Sequence, residues 1–135
     1  MRFGHLSRLF HEWGWQITHD SYVEFSDYLK EMLKKNRVIV IERDSEIEGV
    51  ILFYLTDEYS KVYQKKTWEV VEDNPNGHLM YIDKMICKKF SREVHMAIHD
   101  AILEKYPHVE EAMYLRFPRN RRITIKPRSK PCLTR

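Results

Sequence analysis

The sequence predicts a mixed α/β fold, with helices first and then a sheet built from a hairpin and a strand–helix–strand unit. Two segments with helical spacing of apolar residues precede the first runs rich in β-branched residues. Farther along, a strand-like run, a helix-patterned run and another strand-like run follow one another. This succession implies two parallel neighbouring strands joined by a right-handed crossover.

Length and composition fit one domain. The chain has 135 residues, of which 43% are hydrophobic and 32% charged, the balance of a folded globular protein rather than a disordered one. We expect a single domain over residues 1–126 and a basic tail over 127–135. No run approaches the ~20 apolar residues of a membrane helix, so we expect no anchor and no signal peptide. Two cysteines, Cys87 and Cys132, indicate no disulfide framework and favour a cytoplasmic location.

The first elements are two amphipathic helices. The first is expected to end at Gly14, because apolar residues recur every three or four positions up to that point. Those residues are Leu6, Leu9, Phe10 and Trp13. The same spacing predicts a second helix from about Ser21 to Lys35. Its apolar face consists of Tyr22, Phe25, Tyr28, Leu29, Met32 and Leu33.

A β-hairpin follows the helices. Residues 38–42 and 48–55 are rich in β-branched and aromatic side chains, and a polar turn with Asp44 and Ser45 separates them. Gly49 in the second strand suggests a bulge or the close approach of another backbone. Residues 67–71 are predicted to form a further short strand, and the sequence EDNPNG at 72–77 predicts a turn.

A central strand begins after this turn. Its alternation predicts that Leu79, Tyr81 and Asp83 share one face. Met80, Ile82 and Lys84 are then expected on the other face, and Met85 and Ile86 close the strand.

A helix, a strand and an edge strand complete the predicted fold. Ser91 is a suitable N-cap for a helix that ends before Pro107. Residues 111–117 alternate as a strand, and residues 121–126 predict an edge strand.

The C-terminal segment is basic. Eight of the 23 Lys and Arg residues lie between Arg116 and Arg135, and no acidic residue does. Interleaved with Tyr114 and Phe117, these cations could bind nucleic acid, or an acidic protein surface, without sequence specificity. A solvated tail is the alternative interpretation. The candidate contact residues are Arg116, Arg119, Arg121, Arg122, Lys126 and Arg128.

The segment HLMYIDKMICKKFSR at 78–92 is the best candidate ligand site, because a strand there ends in a basic turn that opens into a helix. Cys87 could be a nucleophile whose pKa the neighbouring lysines lower, or a buried structural cysteine. His95 and His99 stand four apart on the helix, but no HExxH motif accompanies them, so we expect no metal site.

Several segments resemble the GNAT family of acetyl-CoA-dependent N-acyltransferases. VIVIERDSEIEGVILFYL is similar to the family's hairpin, YIDKMIC to its cofactor-binding strand, and SREVHMAIHDAILEKYPHVEEAMYL to the helix and strand that follow. The likeness covers residues 6–117. The chain also resembles small, divergent GNAT-like proteins of phages, whose last strand leads into a basic, aromatic stretch similar to MYLRFPRNRR in this sequence. The resemblance implies a GNAT-like domain, in the host cytoplasm or a virion if the protein is phage-encoded.

The resemblance also implies roles for individual residues. Asp83 would be the base that accepts a proton from an amine-bearing substrate, and Tyr114 the donor that protonates the leaving thiolate. The alternative roles are an edge or exposed strand residue for Asp83, and a tyrosine packed in the core or on a sheet face for Tyr114. The acetyl-CoA site would comprise Met85 and Cys87 beside the pantetheine, and Lys88, Lys89, Ser91 and Arg92 at the pyrophosphate.

This chain departs from the family in its pyrophosphate loop. The family's loop has the form Gln or Arg, two residues, Gly, any residue, Gly or Ala, whereas residues 88–92 contain no glycine. Two hypotheses follow. The chain is either an acyltransferase with an altered loop, or a non-catalytic module that keeps the fold and binds a partner through its basic end. The missing motif favours the second hypothesis, and the sequence indicates no oligomeric state.

Overall fold

The computed structural model describes residues 2–14, 22–57, 73–89, 91–116 and 119–124. Within these residues, three helices and a five-stranded sheet form a mixed α/β fold, which confirms the predicted fold class. In chain order the elements are α1 (Arg2–Trp13), α2 (Tyr22–Lys34), β1 (Val38–Arg43), β2 (Glu46–Thr56), β3 (Leu79–Cys87), α3 (Arg92–Lys105), β4 (Glu111–Arg116) and β5 (Arg119–Thr124). None of the described helices has the length and hydropathy of a membrane span.

The strands lie side by side in the order β1-β2-β3-β4-β5. Strands β3 and β4 are parallel, and the other neighbouring strands are antiparallel. Helix α3 connects the two parallel strands, so the predicted strand–helix–strand crossover is present. The predicted edge strand is β5, which begins at Arg119, two residues earlier than expected. Strand β3 is therefore central, with an antiparallel neighbour on one side and a parallel neighbour on the other.

Helices cover both faces of the sheet, and each face has its own apolar core. On one face, α3 forms a cluster with strand residues that include Phe53 and Ile82. On the other face, α1 and α2 form a cluster with Val50 and Leu52. The buried helix residues are Val94, Ile98 and Ile102 of α3, Leu6, Leu9 and Phe10 of α1, and Phe25, Leu29 and Met32 of α2. The six residues of α1 and α2 lie on the faces that the helical spacing predicts.

The β1–β2 hairpin forms at the predicted turn. Asp44 and Ser45 have positive φ angles of 53° and 67°, which suit a tight turn between twisted antiparallel strands. Gly49 pairs with Ile41, and the register then shifts, so a bulge lies next to this glycine. A Cβ at Gly49 would also lie 3.2 Å from the carbonyl oxygen of Ile86. Both predicted reasons for the glycine, a bulge and a close backbone approach, therefore apply.

The alternation predicted for β3 is wrong beyond Ile82. Ile82 pairs with Phe53 and Lys84 pairs with Leu52, so Asp83 is an extra residue without a partner on β2. An extra residue reverses the face of every side chain after it. Lys84 consequently shares the α1–α2 face with Leu52, not the α3 face with Ile82 as the sequence predicts.

Some sequence predictions lie outside the described residues. These are the short strand at 67–71, the basic tail at 127–135, and the contact residues Lys126 and Arg128. The turn before β3 is described from residue 73 onward, and it is closed by a hydrogen bond of 2.9 Å from the Gly77 amide to the Asn74 carbonyl.

Candidate functional site

The pairing of the two parallel strands ends partway along β3. Residues Leu79 to Ile82 of β3 pair with Glu111 to Tyr114 of β4. In the described sheet, the remaining part of β3 pairs only with β2, from Lys84 to Cys87. Among the described residues, this edge of β3 therefore has no strand partner beyond Ile82, and we call it the opening. Ligands of open α/β sheets bind at the carboxyl ends of the strands. The N-terminus of α3 lies just beyond the same end of β3.

Asp83 lies at the start of this opening, in the bulge of β3. A bulge leaves its extra residue out of the strand ladder and changes the direction of its side chain. The Asp83 carboxylate is half-buried, and its Oδ2 accepts a hydrogen bond from the phenol of Tyr28 on α2. The predicted base is therefore half-buried and held by a helix, and its role as a base stays a prediction.

Three tyrosines surround the Asp83 carboxylate. Tyr28 comes from α2, and Tyr54 of β2 lies directly opposite Tyr81 of β3. Burial raises the pKa of Tyr28 far above its usual range, and the charge of Asp83 raises it further. Burial also raises the pKa of Tyr54, and burial followed by Asp83 raises the pKa of Tyr81 to about 12. All three phenols therefore keep their protons at neutral pH.

No sequence pattern indicates a functional role for these tyrosines. Tyr28 fits the apolar face of α2, and its contact with Asp83 joins residues 55 positions apart. For Tyr81, strand alternation does predict a position near Asp83, because side chains two positions apart on a strand lie on the same face of the sheet.

Tyr114, the predicted proton donor, is the last residue of β4 that pairs with β3. Its backbone in β4 lies opposite Ile82, one position before Asp83 on β3. The two predicted catalytic positions are thus brought to the same end of the parallel pair. The side chain of Tyr114 lies outside the described part of the structure, so its role stays a prediction.

The basic turn after β3 leads into α3. Lys88 and Lys89 are exposed, and so is Arg92 at the first position of the helix. The Lys88 ammonium lies 3.6 Å from a carboxylate oxygen of Glu46, and both side chains are more than half exposed. Three cations therefore stand at a helix N-terminus, and Arg92 and Glu93 have amides without an acceptor inside the helix.

Ser91 caps α3 as predicted. Its Oγ accepts a hydrogen bond of 3.2 Å from the amide of Val94. This capping role explains a serine at this position without any ligand, so the proposed contact of Ser91 with a pyrophosphate stays a prediction.

Met85 and Cys87 place their side chains on the α3 face of β3, where both are partly buried against the core. Burial raises the pKa of the Cys87 thiol, and the charge of Glu48 raises it further. The expectation that neighbouring lysines lower this pKa is therefore wrong, because Lys88 and Lys89 extend into solvent. Cys87 has the properties of a structural cysteine. The part of Met85 and Cys87 that can reach a ligand is the backbone edge beside the opening.

The two helix histidines have separate surroundings. His95 and His99 are each half-buried, and His99 Nδ1 lies 3.6 Å from a carboxylate oxygen of Asp100. Across the described residues, no group of three His, Cys, Asp or Glu side chains is arranged to hold a metal ion.

The basic segment enters the sheet as the β4–β5 hairpin. In register, Arg116 lies opposite Arg119, Tyr114 opposite Arg121 and Met113 opposite Arg122. The last paired residue of β4 and the first paired residue of β5 are thus both arginine.

Comparisons with known proteins assign no family. No protein-family model matches the chain, and no curated protein matches it significantly. The proposals that follow rest on the geometry of the site and on the resemblance of the sequence segments.

Proposed function

We propose that this protein is a GNAT-type N-acyltransferase that transfers an acetyl group from acetyl-CoA to an amine. The observation that supports the proposal best is the end of β3–β4 pairing at Ile82 and Tyr114, with Asp83 in a bulge beside it. An acyl donor needs an extended slot, and an acceptor amine needs a base at the slot's inner end. The opening and the carboxylate provide these two features in adjacent positions.

The transfer requires one proton acceptor and one proton donor. Asp83 accepts a proton from the neutral amine nitrogen as that nitrogen attacks the thioester carbonyl carbon. As the C–N bond forms, the C–S bond breaks and its electron pair leaves with sulfur. The thiolate takes a proton from a donor, for which Tyr114 is the candidate. The products are an N-acetylated amine and free CoA.

The cofactor end of the site lacks glycines but carries charge. The side chains of Lys88, Lys89 and Arg92 are exposed, so they can turn toward a pyrophosphate without breaking a buried contact. Lysine and arginine side chains supply charge-assisted hydrogen bonds to phosphate oxygens. We propose that these cations take over part of the role that backbone amides have in a glycine-rich loop.

Titration calorimetry with acetyl-CoA tests the proposal. We expect micromolar binding by the wild type, and loss of that binding in the double variant Lys88→Glu/Arg92→Glu. The single variant Arg92→Glu has a matched control in Lys105→Glu. The control makes the same charge change at the other end of α3, about 20 Å away along the helix. Lys105→Glu should bind normally. Absence of heat from the wild type at millimolar acetyl-CoA would reject the acyltransferase proposal.

A second candidate function is supported by the hairpin of β4 and β5. Like charges directly opposite each other destabilise an antiparallel pair, and Arg116 is opposite Arg119. A bound polyanion would relieve this repulsion. The alternative function is therefore a non-catalytic module that binds nucleic acid, or an acidic protein surface, through its basic end.

Binding to a DNA or RNA oligonucleotide at several salt concentrations tests this second candidate. Removal of β5 would expose a new sheet edge, so substitution is preferable to truncation. We expect Arg119→Gln/Arg121→Gln to weaken binding and to reduce its salt dependence, whereas the control Arg8→Gln on α1 should change neither. Equal binding by all three proteins would reject nucleic acid as the partner.

A further inference from the structure

Only one oxygen of the Asp83 carboxylate is engaged by the residues that the structure describes. The Tyr28 hydroxyl donates to Oδ2, and no hydrogen bond to Oδ1 is formed within the described ranges. A carboxylate has room for several donors on its two oxygens. The Oδ1 atom is therefore the one that remains to accept a proton from another molecule.

The packing of α1 and α2 holds Tyr28, whose hydroxyl is the hydrogen-bond donor to Asp83. The Tyr28 ring lies 6.3 Å from the ring of Phe25, which in turn lies 4.9 Å from the ring of Phe10. Phe10 and Phe25 are both buried. The ring of Tyr28 is thus packed against the core that α1 and α2 form on this face of the sheet.

Asp83 itself needs such support. As the extra residue of a bulge, it has no partner in the β2 ladder to fix its backbone. Among the described residues, Tyr54 and Tyr81 also interact with the charge of Asp83, and both stay protonated at neutral pH because burial raises the pKa of each. Tyr28 is the group among the three that donates directly to the carboxylate.

We infer that Tyr28 is a positioning residue for the base, holding Oδ2 of Asp83 so that Oδ1 meets the acceptor amine at the opening between β3 and β4. This inference rests on the proposed acyltransferase function. It adds a residue on α2 to a site whose other members come from β3, β4 and the start of α3. Tyr28 itself does not contact the reacting atoms.

The variant Tyr28→Phe tests the inference, because it keeps the ring and removes only the hydroxyl. We expect kcat to fall about 10- to 100-fold, the range for one lost hydrogen bond to a charged group. KM for acetyl-CoA should not change. The matched control is Tyr106→Phe, which removes a phenol that donates 3.3 Å to the Asn36 carbonyl.

The results separate the inference from the proposed function. An active wild type, with Tyr28→Phe equal to it in kcat, would overturn the positioning role and leave the acyltransferase intact. A wild type that neither binds nor uses acetyl-CoA would overturn both. Loss of kcat in Tyr106→Phe as well would point to general destabilisation and would also count against the inference.

A spectroscopic measurement covers the case in which Tyr28→Phe does not fold. The hydroxyl proton of a buried phenol on a carboxylate exchanges slowly and should give a separate downfield proton resonance. We expect this resonance in the wild type and a large shift of it in Asp83→Asn. The same resonance position in both proteins would overturn the contact on which the inference depends.

Discussion

The phenol of Tyr28 donates a hydrogen bond to the carboxylate of Asp83, across 55 positions of sequence. This contact joins α2 to the bulge of β3, at the point where β3 stops pairing with β4. One residue thus marks three features, which are a break in strand pairing, a bulge and a buried hydrogen bond to a helix. Together they give the carboxylate a fixed position at the edge of an opening, as a base requires.

Under the proposed acyltransferase function, Asp83→Asn should abolish most of the acetyl transfer without weakening acetyl-CoA binding. The amide cannot accept the amine proton, and general-base catalysis contributes about 10²- to 10⁴-fold to a rate. Steady-state kinetics should show the loss in kcat, while calorimetry should show unchanged affinity for acetyl-CoA. Glu104→Gln, which neutralises an exposed carboxylate on α3, is the control. Wild-type turnover by Asp83→Asn would exclude Asp83 as the base.

The tyrosines around Asp83 should make the protein sensitive to alkali. The pKa of Tyr81 is about 12 in the folded protein, against a usual value of 10.0. Because the folded state holds this proton more tightly, the stabilisation is fully present below pH 10 and is lost as the pH rises toward 12. The free energy of unfolding, measured in urea, should fall across that range.

The variant Tyr81→Phe identifies the source of this pH dependence. It has no phenol to ionise, so its unfolding free energy should fall less steeply above pH 10 than that of the wild type. Below pH 10 the two curves should run parallel, which serves as the internal control. Identical slopes above pH 10 would show that Tyr81 ionises equally in the folded and unfolded states.

Local spacing in the sequence was sufficient to predict the helices and most of the strands. The buried faces of α1 and α2 follow from apolar residues three and four apart, and the cap at Ser91 follows from its place before a helical run. The bulge at Asp83 could not be predicted in this way. Up to Ile82 the alternation is regular, and the shift depends on which β2 residue each β3 residue meets. The contact of Tyr28 with Asp83 likewise depends on the tertiary fold.

Loss of the cation from the largely buried ion pair of Arg37 and Asp73 should destabilise the fold strongly. Arg37 is only 8% exposed, and its Nε lies 2.9 Å from Oδ1 and 3.0 Å from Oδ2 of Asp73. The Leu55 amide also donates to Oδ1 of Asp73, at 3.0 Å. Arg37→Met would leave a largely buried carboxylate without its cation. We expect a loss of about 3 kcal/mol in urea unfolding.

A more exposed ion pair, Arg43 with Glu48, serves as the control. Arg43 lies 3.7 Å from Glu48, and both side chains are considerably more exposed than those of Arg37 and Asp73. Arg43→Met should therefore cost less than about 1 kcal/mol. If the two variants lost equal stability, burial would not explain the contribution of the Arg37–Asp73 pair.

Two glycines should respond in opposite directions to replacement by alanine. A Cβ on Gly77 would lie 2.6 Å from the Cα and carbonyl carbon of Thr56, and nearer still to its amide nitrogen. These are backbone atoms of β2, so the turn before β3 would have to move away from the sheet. We expect Gly77→Ala to destabilise the fold by about 1–3 kcal/mol, the usual cost of overpacking.

A Cβ on Gly4 would meet nothing within 4 Å, and Gly4 lies inside α1. Gly4→Ala should therefore stabilise the protein by about 0.5–1 kcal/mol, because alanine loses less backbone entropy in a helix. Urea unfolding of both variants measures the difference, and a Gly77→Ala variant as stable as the wild type would show that this turn can shift freely away from β2.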